Sequence, residues 1–225
     1  MSIKDHIKFY QQEVEPFGAR LIAVSKTHPA TAILQAYEAG QRLFGENKVQ
    51  ELTDKYPALP ADIEWHLIGH LQTNKVKYVA PFVSLIHAVD SEKLLLEIEK
   101  QGARVGRTIP CLLQIFIARE ETKFGLHESE ALALVTGPAV QALRFVRIEG
   151  LMGMATLTDY QNQIRQEFRG LRRLFDDIGK LPLPAHVRMK ELSMGMTSDY
   201  RIALEEGSTL IRVGTAIFGQ RNAPN

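Results

Sequence analysis

Cysteine is almost absent from the sequence, which contains only Cys111 among 225 residues. A single cysteine excludes an intramolecular disulfide framework and fits a reducing compartment, so we expect a cytoplasmic protein. Cys111 lies inside an apolar run and is interpreted as a core residue rather than a nucleophile. Residues 1–6 are not followed by the apolar segment of a signal peptide.

Long apolar runs and blocks of like charge are also missing. The apolar runs stay under ten residues, which is too short to span a bilayer, so no membrane partner is expected. The net charge is +1 and no five like charges follow one another, so the sequence shows no excess or run of basic residues that would indicate nucleic-acid binding. The Walker A, G-x-S-x-G and H-E-x-x-H motifs are missing as well.

Short apolar segments alternate instead with segments of helical periodicity. Each short segment is bounded by turn residues, which is typical of a buried strand. The predicted strands are 20–25, 42–45, 63–69, 83–89, 110–118, 144–152, 187–193 and 209–213. The predicted helices are 2–15, 30–39, 46–56, 72–80, 91–101, 128–136, 158–178 and 198–206.

Eight strands that alternate with helices predict parallel pairing through right-handed crossovers. Eight such units in 225 residues favour an α/β fold, a single (β/α)8 TIM barrel preceded by the extra N-terminal helix 2–15. The alternative is a doubly wound open sheet, but no G-x-G-x-x-G motif follows the first strand. No linker divides the sequence, so we expect one domain over 1–225.

Two features predict helix ends. Ser2 and Asp5 form a variant of the capping box at the first helix. Gly102 follows the predicted helix 91–101, where a left-handed C-cap favours glycine.

Lys26 stands where the first strand leaves the core, after the apolar run 21–24. Burying an unpaired ammonium is costly, and a lysine in such surroundings can become a neutral nucleophile for aldehydes. We therefore predict a Schiff base between Lys26 and a cofactor aldehyde. The alternative is a strand-end lysine that reaches solvent or pairs with a carboxylate.

The ends of the last two strands predict a phosphate site. In (β/α)8 barrels the chemistry lies at the C-terminal strand ends, and phosphate sites recur after strands seven and eight. Strand seven ends at Ser193, Met194 and Gly195, and strand eight leads to Gly214 and Thr215. The small residues allow a ligand to approach the backbone, and the two hydroxyls add donors. A tight turn with a helix N-cap is the alternative for the first of these segments.

Other polar residues near the strand ends leave two interpretations open. Arg212 shares a strand face with Gly214, so it either points into the barrel, where a ring nitrogen could accept from it, or outward to a helix carboxylate. His66 and His70 have i,i+4 spacing, but they straddle a strand end, so His66 is expected to pack or hydrogen-bond within the barrel mouth, as one of the cofactor-binding residues, rather than bind metal. Met154 suits soft core packing or the wall of a flat ring.

Eight segments, spread in order over nearly the whole sequence, resemble the pyridoxal phosphate homeostasis proteins. The segments are AVSKTHPA, RLFGENKVQE, WHLIGHLQTNK, HAVDSEKL, KFGL, GLMGMA, LSMGMTSDYRIAL and GSTLIRVGTAIFGQR. The resemblance implies the barrel fold of the alanine racemase N-terminal domain. Lys48 and Thr197 depart from the tyrosine and serine that are common in this family.

The resemblance also implies roles for single residues. Lys26 would hold pyridoxal 5′-phosphate as a Schiff base, with Asn47 near the phenolic side of the ring. Arg212 would face the pyridine nitrogen. The phosphate would be held by residues of both last strand ends, which are Ser193, Met194, Gly195, Gly214 and Thr215.

The function implied is a non-enzymatic carrier or buffer of pyridoxal phosphate in vitamin B6 and amino-acid homeostasis. A cation at the ring nitrogen disfavours its protonation and so weakens carbanion chemistry. The expected partners are pyridoxal phosphate and the apoenzymes that use it, and without a second domain we expect a monomer. The alternatives are a small pyridoxal phosphate-dependent racemase or decarboxylase, and a phosphosugar enzyme without cofactor.

Overall fold

The computed structural model of the chain describes residues 2–119 and 124–219. Lys123 of the KFGL segment, and Gln220 and Arg221 of the last segment, therefore lie outside the described residues.

The strands of these described residues form a closed parallel barrel in which neighbours in sequence are neighbours in space. They are β1 (Arg20–Val24), β2 (Leu43–Glu46), β3 (Glu64–Leu67), β4 (Leu85–Val89), β5 (Ile109–Ile115), β6 (Val146–Gly153), β7 (Val187–Met196) and β8 (Leu210–Val213). The last strand returns to the first, with Arg212 opposite Ile22. The predicted eight-stranded barrel is confirmed, and the open sheet is wrong.

Helices surround this barrel, as crossovers between parallel strands require. They are α1 (Ile3–Val14), α2 (Ala30–Glu38), α3 (Val49–Lys55), α4 (Val76–Val79), α5 (Glu92–Val105), α6 (Glu128–Thr136), α7 (Pro138–Gln141), α8 (Gln161–Gly179), α9 (Tyr200–Glu205) and α10 (Thr215–Phe218). Each helix within the described ranges is too short or too polar to reach across a membrane.

The first helix begins as predicted. The Asp5 backbone N–H donates to the Ser2 hydroxyl at 3.2 Å, and the Ser2 N–H donates to the Asp5 carboxylate at 2.9 Å. These reciprocal bonds satisfy backbone donors that a helix start otherwise leaves unpaired.

Several predicted ends lie at other residues in the structure, and two of these differences concern β7 and α5. β7 continues three residues past the predicted end at 193, and its pairing with β8 is irregular between Ser193 and Met196. Ser193 is therefore inside the strand rather than at its end. Gly102 lies within α5, which continues to Val105, and Gly106 supplies the left-handed cap with φ +64°.

Apolar side chains pack on both faces of the strands, which explains why the strands are nearly continuous apolar runs. Outside the barrel, α8 buries Phe168 and Leu171 in the layer between helices and strands. Complete burial of a phenylalanine contributes roughly 1.5–3 kcal/mol. Inside the barrel, a smaller cluster includes Ile22, Leu112 and Leu210. This apolar filling leaves one end of the barrel for polar side chains.

Candidate functional site

A cavity of about 330 Å³ opens at the C-terminal ends of the strands. Its wall contains six of the ten predicted site residues, namely Lys26, Asn47, Met154, Arg212, Gly214 and Thr215. The strand ends converge at this face of the barrel, so residues far apart in sequence meet here.

Lys26 reaches this wall because β1 ends at Val24, two residues earlier. The N–H of the intervening Ser25 donates to the Gly45 carbonyl at 3.0 Å, which continues the pairing with β2. Lys26 is only half-buried, so its amine lies at the rim of the barrel rather than in the apolar interior.

Arg212 points into the barrel, which decides between the two orientations that the sequence left open. Its side chain is buried, with Nη1 2.5 Å from the Ser193 hydroxyl and Nη2 3.1 Å from the Gly153 carbonyl. Burial lowers the pKa of the guanidinium to about 10, and the nearby charge of Asp199 opposes that shift. Arg212 therefore remains a cation at neutral pH and contributes donors to the cavity.

A chain of hydrogen bonds continues from Arg212 across the barrel interior. Ser193 Oγ lies 2.9 Å from His87 Nδ1, and His87 Nε2 lies 3.0 Å from His66 Nδ1. Burial lowers the pKa of His66 to about 3, with a contribution from the charge of Arg20, and it also lowers the pKa of His87 well below 6.5. Both imidazoles are therefore neutral at pH 7, and each has one N–H to donate.

Ser193, His66, Met194 and Gly195 are absent from the cavity wall that the described residues form. Ser193 is completely buried and its hydroxyl is engaged by His87 and Arg212. β7 carries Ser193 inside the barrel, and its contact with a phosphate stays a prediction. The roles of the other three residues toward a ligand also stay predictions.

The metal interpretation of the histidine pair finds no support. His66 bonds to His87 inside the barrel, whereas His70 is exposed and lies 3.2 Å from Asp90. In the described part of the chain, no three His, Cys, Asp or Glu side chains group closely enough to hold a metal ion.

The end of β8 presents backbone to the cavity. A Cβ at Gly214 would lie 3.0 Å from the Val24 carbonyl oxygen, so glycine allows β8 and β1 to stay close at this point. The short helix α10 begins at Thr215, and the first N–H groups of a helix have no partner within it. Thr215 can add its hydroxyl to these donors.

Gln114 is a wall residue that the sequence analysis did not select. It lies in β5 and donates to the Phe124 carbonyl at 2.8 Å, so it holds the next segment of the chain at the cavity. A polar side chain in the middle of the apolar run PCLLQIFIA was a signal that could have identified it.

A second polar group, also missed, lies behind Lys26. The Ser25 hydroxyl donates to Glu46 Oε1 at 2.6 Å, and Lys55 Nζ donates to the same oxygen at 2.7 Å. Burial raises the pKa of the Glu46 carboxyl, whereas the bonds from Lys55 and Ser25 lower it. Nothing in the sequence distinguished Lys55 from a solvated residue of a helix.

Comparisons with known proteins agree with this geometry. The family described as alanine racemase, N-terminal domain, matches residues 1–222. The pyridoxal phosphate homeostasis protein of Aquifex aeolicus is 40% identical over 204 residues, which cover 90% of this chain and 87% of that protein.

Two solved structures of PipY from Synechococcus elongatus are similar to the whole barrel. Both are 37% identical and cover 97% of this chain and 100% of PipY. The TM-score is 0.90 for PipY without PLP and 0.86 for PipY with PLP bound. Because the family match, the identity and the barrel all extend over nearly the full sequence, this chain belongs to the pyridoxal phosphate homeostasis proteins, a family built on the barrel of the alanine racemase N-terminal domain.

Proposed function

We propose that this chain is a non-enzymatic protein that binds pyridoxal 5′-phosphate and carries or buffers it in vitamin B6 and amino-acid homeostasis. The main support is that one cavity is lined both by the Lys26 amine and by the buried Arg212 guanidinium. The names of the relatives and the PipY structure with PLP bound support the identity of the cofactor.

The cavity fits this cofactor in size and in donors. Its volume of about 330 Å³ lies within the range of small-molecule sites, roughly 300–1,000 Å³. Lys26 lies at the wall for the aldehyde, and Thr215 with the start of α10 offers donors for a phosphate. Gly214 keeps the backbone free of a side chain where the anion would approach.

Pyridoxal phosphate would supply an aldehyde for condensation with a lysine amine, in which the aldehyde oxygen would leave as water with two hydrogens from the amine nitrogen. Lys26 would provide this amine at the cavity wall. Asn47 contributes an amide on the same side of the cavity. Met154 adds a soft apolar surface on which a flat ring can rest.

Arg212 determines the character of the ring site. As a cation it would donate to a pyridine nitrogen and disfavour a proton there, whereas an aspartate would keep that nitrogen protonated. Its two bonds, to Ser193 and Gly153, fix the guanidinium in place. This arrangement would weaken the electron sink of the ring, which suits a carrier.

A small pyridoxal phosphate-dependent racemase or decarboxylase is the second candidate. Membership of a family described by the alanine racemase N-terminal domain favours it. We further propose one cofactor-binding domain over residues 1–225, a monomer located in the cytoplasm, and transfer of the cofactor to apoenzymes.

The test is an absorbance spectrum of the purified protein after incubation with pyridoxal phosphate. We expect the visible band of a lysine Schiff base, and after borohydride reduction a single modified peptide that contains Lys26. The Lys26→Ala variant should lose the band and the adduct. A control Lys180→Ala variant should keep both, since Lys180 is exposed just after the end of α8.

Two outcomes would contradict the proposal. A colourless unmodified protein would favour a barrel enzyme without cofactor. Turnover of any amino acid in a panel at about 1 s⁻¹ or faster would be typical of an ordinary enzyme and would favour the racemase or decarboxylase.

A further inference from the structure

The Lys55 ammonium is fully engaged by three acceptors. Lys55 Nζ lies 2.8 Å from the Ser25 carbonyl oxygen, 2.7 Å from Glu46 Oε1 and 2.6 Å from Glu51 Oε1. An ammonium has three N–H donors, so each of them has an acceptor here. The Lys55 side chain is only 10% exposed, and it is therefore a structural cation rather than a solvated one.

The acceptors of Lys55 lead to both peptide groups that flank Lys26. The Ser25 carbonyl belongs to the peptide group before Lys26, and Lys55 binds it directly. The Thr27 N–H belongs to the peptide group after Lys26, and it donates to Glu51 Oε1 at 2.5 Å. The two dihedral angles of Lys26 connect these groups, so fixing both groups fixes the direction in which its side chain leaves the backbone.

The backbone at Thr27 needs such support. Its φ is +66°, and among the described residues it is the only one other than glycine with a positive φ. A β-branched residue rarely adopts this left-handed conformation, which persists where surrounding contacts hold it. The bond from Thr27 to Glu51, which Lys55 in turn holds, is a contact of this kind.

Packing alone gives little reason for this group of charges. Replacing a buried ion pair by apolar side chains of similar volume is often neutral or stabilising. Glu46 Oε2 is buried and has no hydrogen-bond partner among the described residues, so the group is not fully satisfied. This group of charges is better explained by a role in positioning the neighbouring backbone than by a role in stability.

We propose that Lys55 and Glu51 form a clamp that holds the backbone on both sides of Lys26 and thereby aims its amine at the cofactor. This inference rests on the proposed function, because it assigns to the clamp the geometry of Schiff-base formation at Lys26. Lys55 and Glu51 are positioning residues, since neither lies in the cavity wall that the described residues form.

The test measures how fast cofactor-free protein forms its Schiff base with added pyridoxal phosphate, followed by absorbance at fixed pH. A displacement of about 1 Å can slow a reaction by roughly 10²-fold, so we expect Glu51→Leu and Lys55→Met to react at least about tenfold more slowly. Glu51→Gln keeps an oxygen for the Thr27 N–H, and its rate should lie between those of Glu51→Leu and the unmodified protein. Peptide mapping after borohydride reduction should show a smaller share of adduct at Lys26 in the slow variants.

Two controls separate geometry from stability. Asp176→Leu removes the i,i+4 ion pair with Arg172 on α8, and Leu174→Ala opens a cavity under the same helix, which packs on β6 and β7. Both should form the Schiff base within about twofold of the unmodified rate, since neither change reaches the reacting amine.

The clamp would be contradicted if Glu51→Leu or Lys55→Met formed the Schiff base as fast as the unmodified protein. It would also be contradicted if Leu174→Ala were slowed as much as these two variants. If Lys55→Met does not fold, Glu51→Leu decides the question, because Glu51 is only partly buried. If the unmodified protein itself forms no Schiff base at Lys26, the proposed function fails. If it does, and the Glu51 and Lys55 variants react at the same rate, only the clamp is contradicted.

Discussion

Inside the barrel, the charged guanidinium of Arg212 is linked through Ser193 to the neutral imidazoles of His87 and His66. Arg212 can only donate to the Ser193 hydroxyl, which can then donate to His87, and His87 to His66. In this order each bond has one donor and one acceptor while both histidines are neutral, and burial disfavours an added proton on either ring. The barrel interior therefore responds to acid.

His66 carries a stability prediction at this scale. Its pKa is about 3 in the fold and near 6.5 in the unfolded chain, so between these values the unfolded state binds the extra proton. Stability is therefore full above about pH 7 and falls as the pH drops below 6.5, by up to about 1.4 kcal/mol per pH unit for this residue.

Denaturant unfolding of the unmodified protein and of His66→Gln between pH 7.5 and 4.5 measures this effect. The unmodified protein should show the steeper loss of stability with falling pH, because the carboxylates that titrate in this range are common to both proteins. Parallel curves would show that His66 does not resist protonation in the fold.

The sequence predicted several of these residues and misjudged others for physical reasons. Lys26 was found because a lysine directly after an apolar strand is a local signal. The direction of Arg212 depended on which strand face points inward, and only the closed barrel settles that. Lys55 and Glu51 could not be found, because their partners lie on β2 and on the turn between β1 and α2.

Among the elements, β7 shows that the residue at which a strand ends determines which side chains can line a site. The sequence analysis placed its end at Ser193, but the strand continues to Met196. The irregular pairing with β8 after Ser193 allows this extension. Such irregularities depend on the neighbouring strand, so the periodicity of one segment cannot reveal them.

Gly195 is the residue that makes this end of β7 possible. Its φ is +93°, and a Cβ there would lie 2.5 Å from the Ala203 Cβ on α9. Gly195→Ala should therefore destabilise the protein by about 2 kcal/mol or more, from the left-handed backbone and from the displaced helix. Denaturant unfolding gives the value.

Gly170 in α8 provides the matched control. A Cβ at Gly170 would meet no atom within 4 Å, so Gly170→Ala should stabilise the protein by roughly 0.5–1 kcal/mol through helix propensity. Similar effects of the two substitutions would show that α9 does not pack closely behind β7.

At the scale of the whole molecule, the cavity joins parts of the chain that are distant in sequence. Lys26 follows β1, Asn47 follows β2, Met154 follows β6, and Arg212 lies in β8. A ligand that contacts all four requires the barrel to be closed, because the unfolded chain does not bring them together. Binding must therefore be coupled to the stability of the entire fold.

This coupling gives the last prediction. Pyridoxal phosphate at about 100 times its dissociation constant should stabilise the folded state by about 2.7 kcal/mol. For a chain of 225 residues this corresponds to a rise in Tm of about 5–10 °C. Thermal unfolding with and without the cofactor measures the shift, with inorganic phosphate at the same concentration as the control for anion binding.

Lys26→Ala separates the covalent contribution from the rest of the site. This variant keeps the donors of Arg212 and Thr215, so the cofactor should still raise its Tm, but by less than in the unmodified protein. An equal rise in both proteins would mean that the amine takes no part in binding. A rise in neither would mean that the cavity does not hold the cofactor, because a ligand of the closed barrel cannot bind without stabilising it.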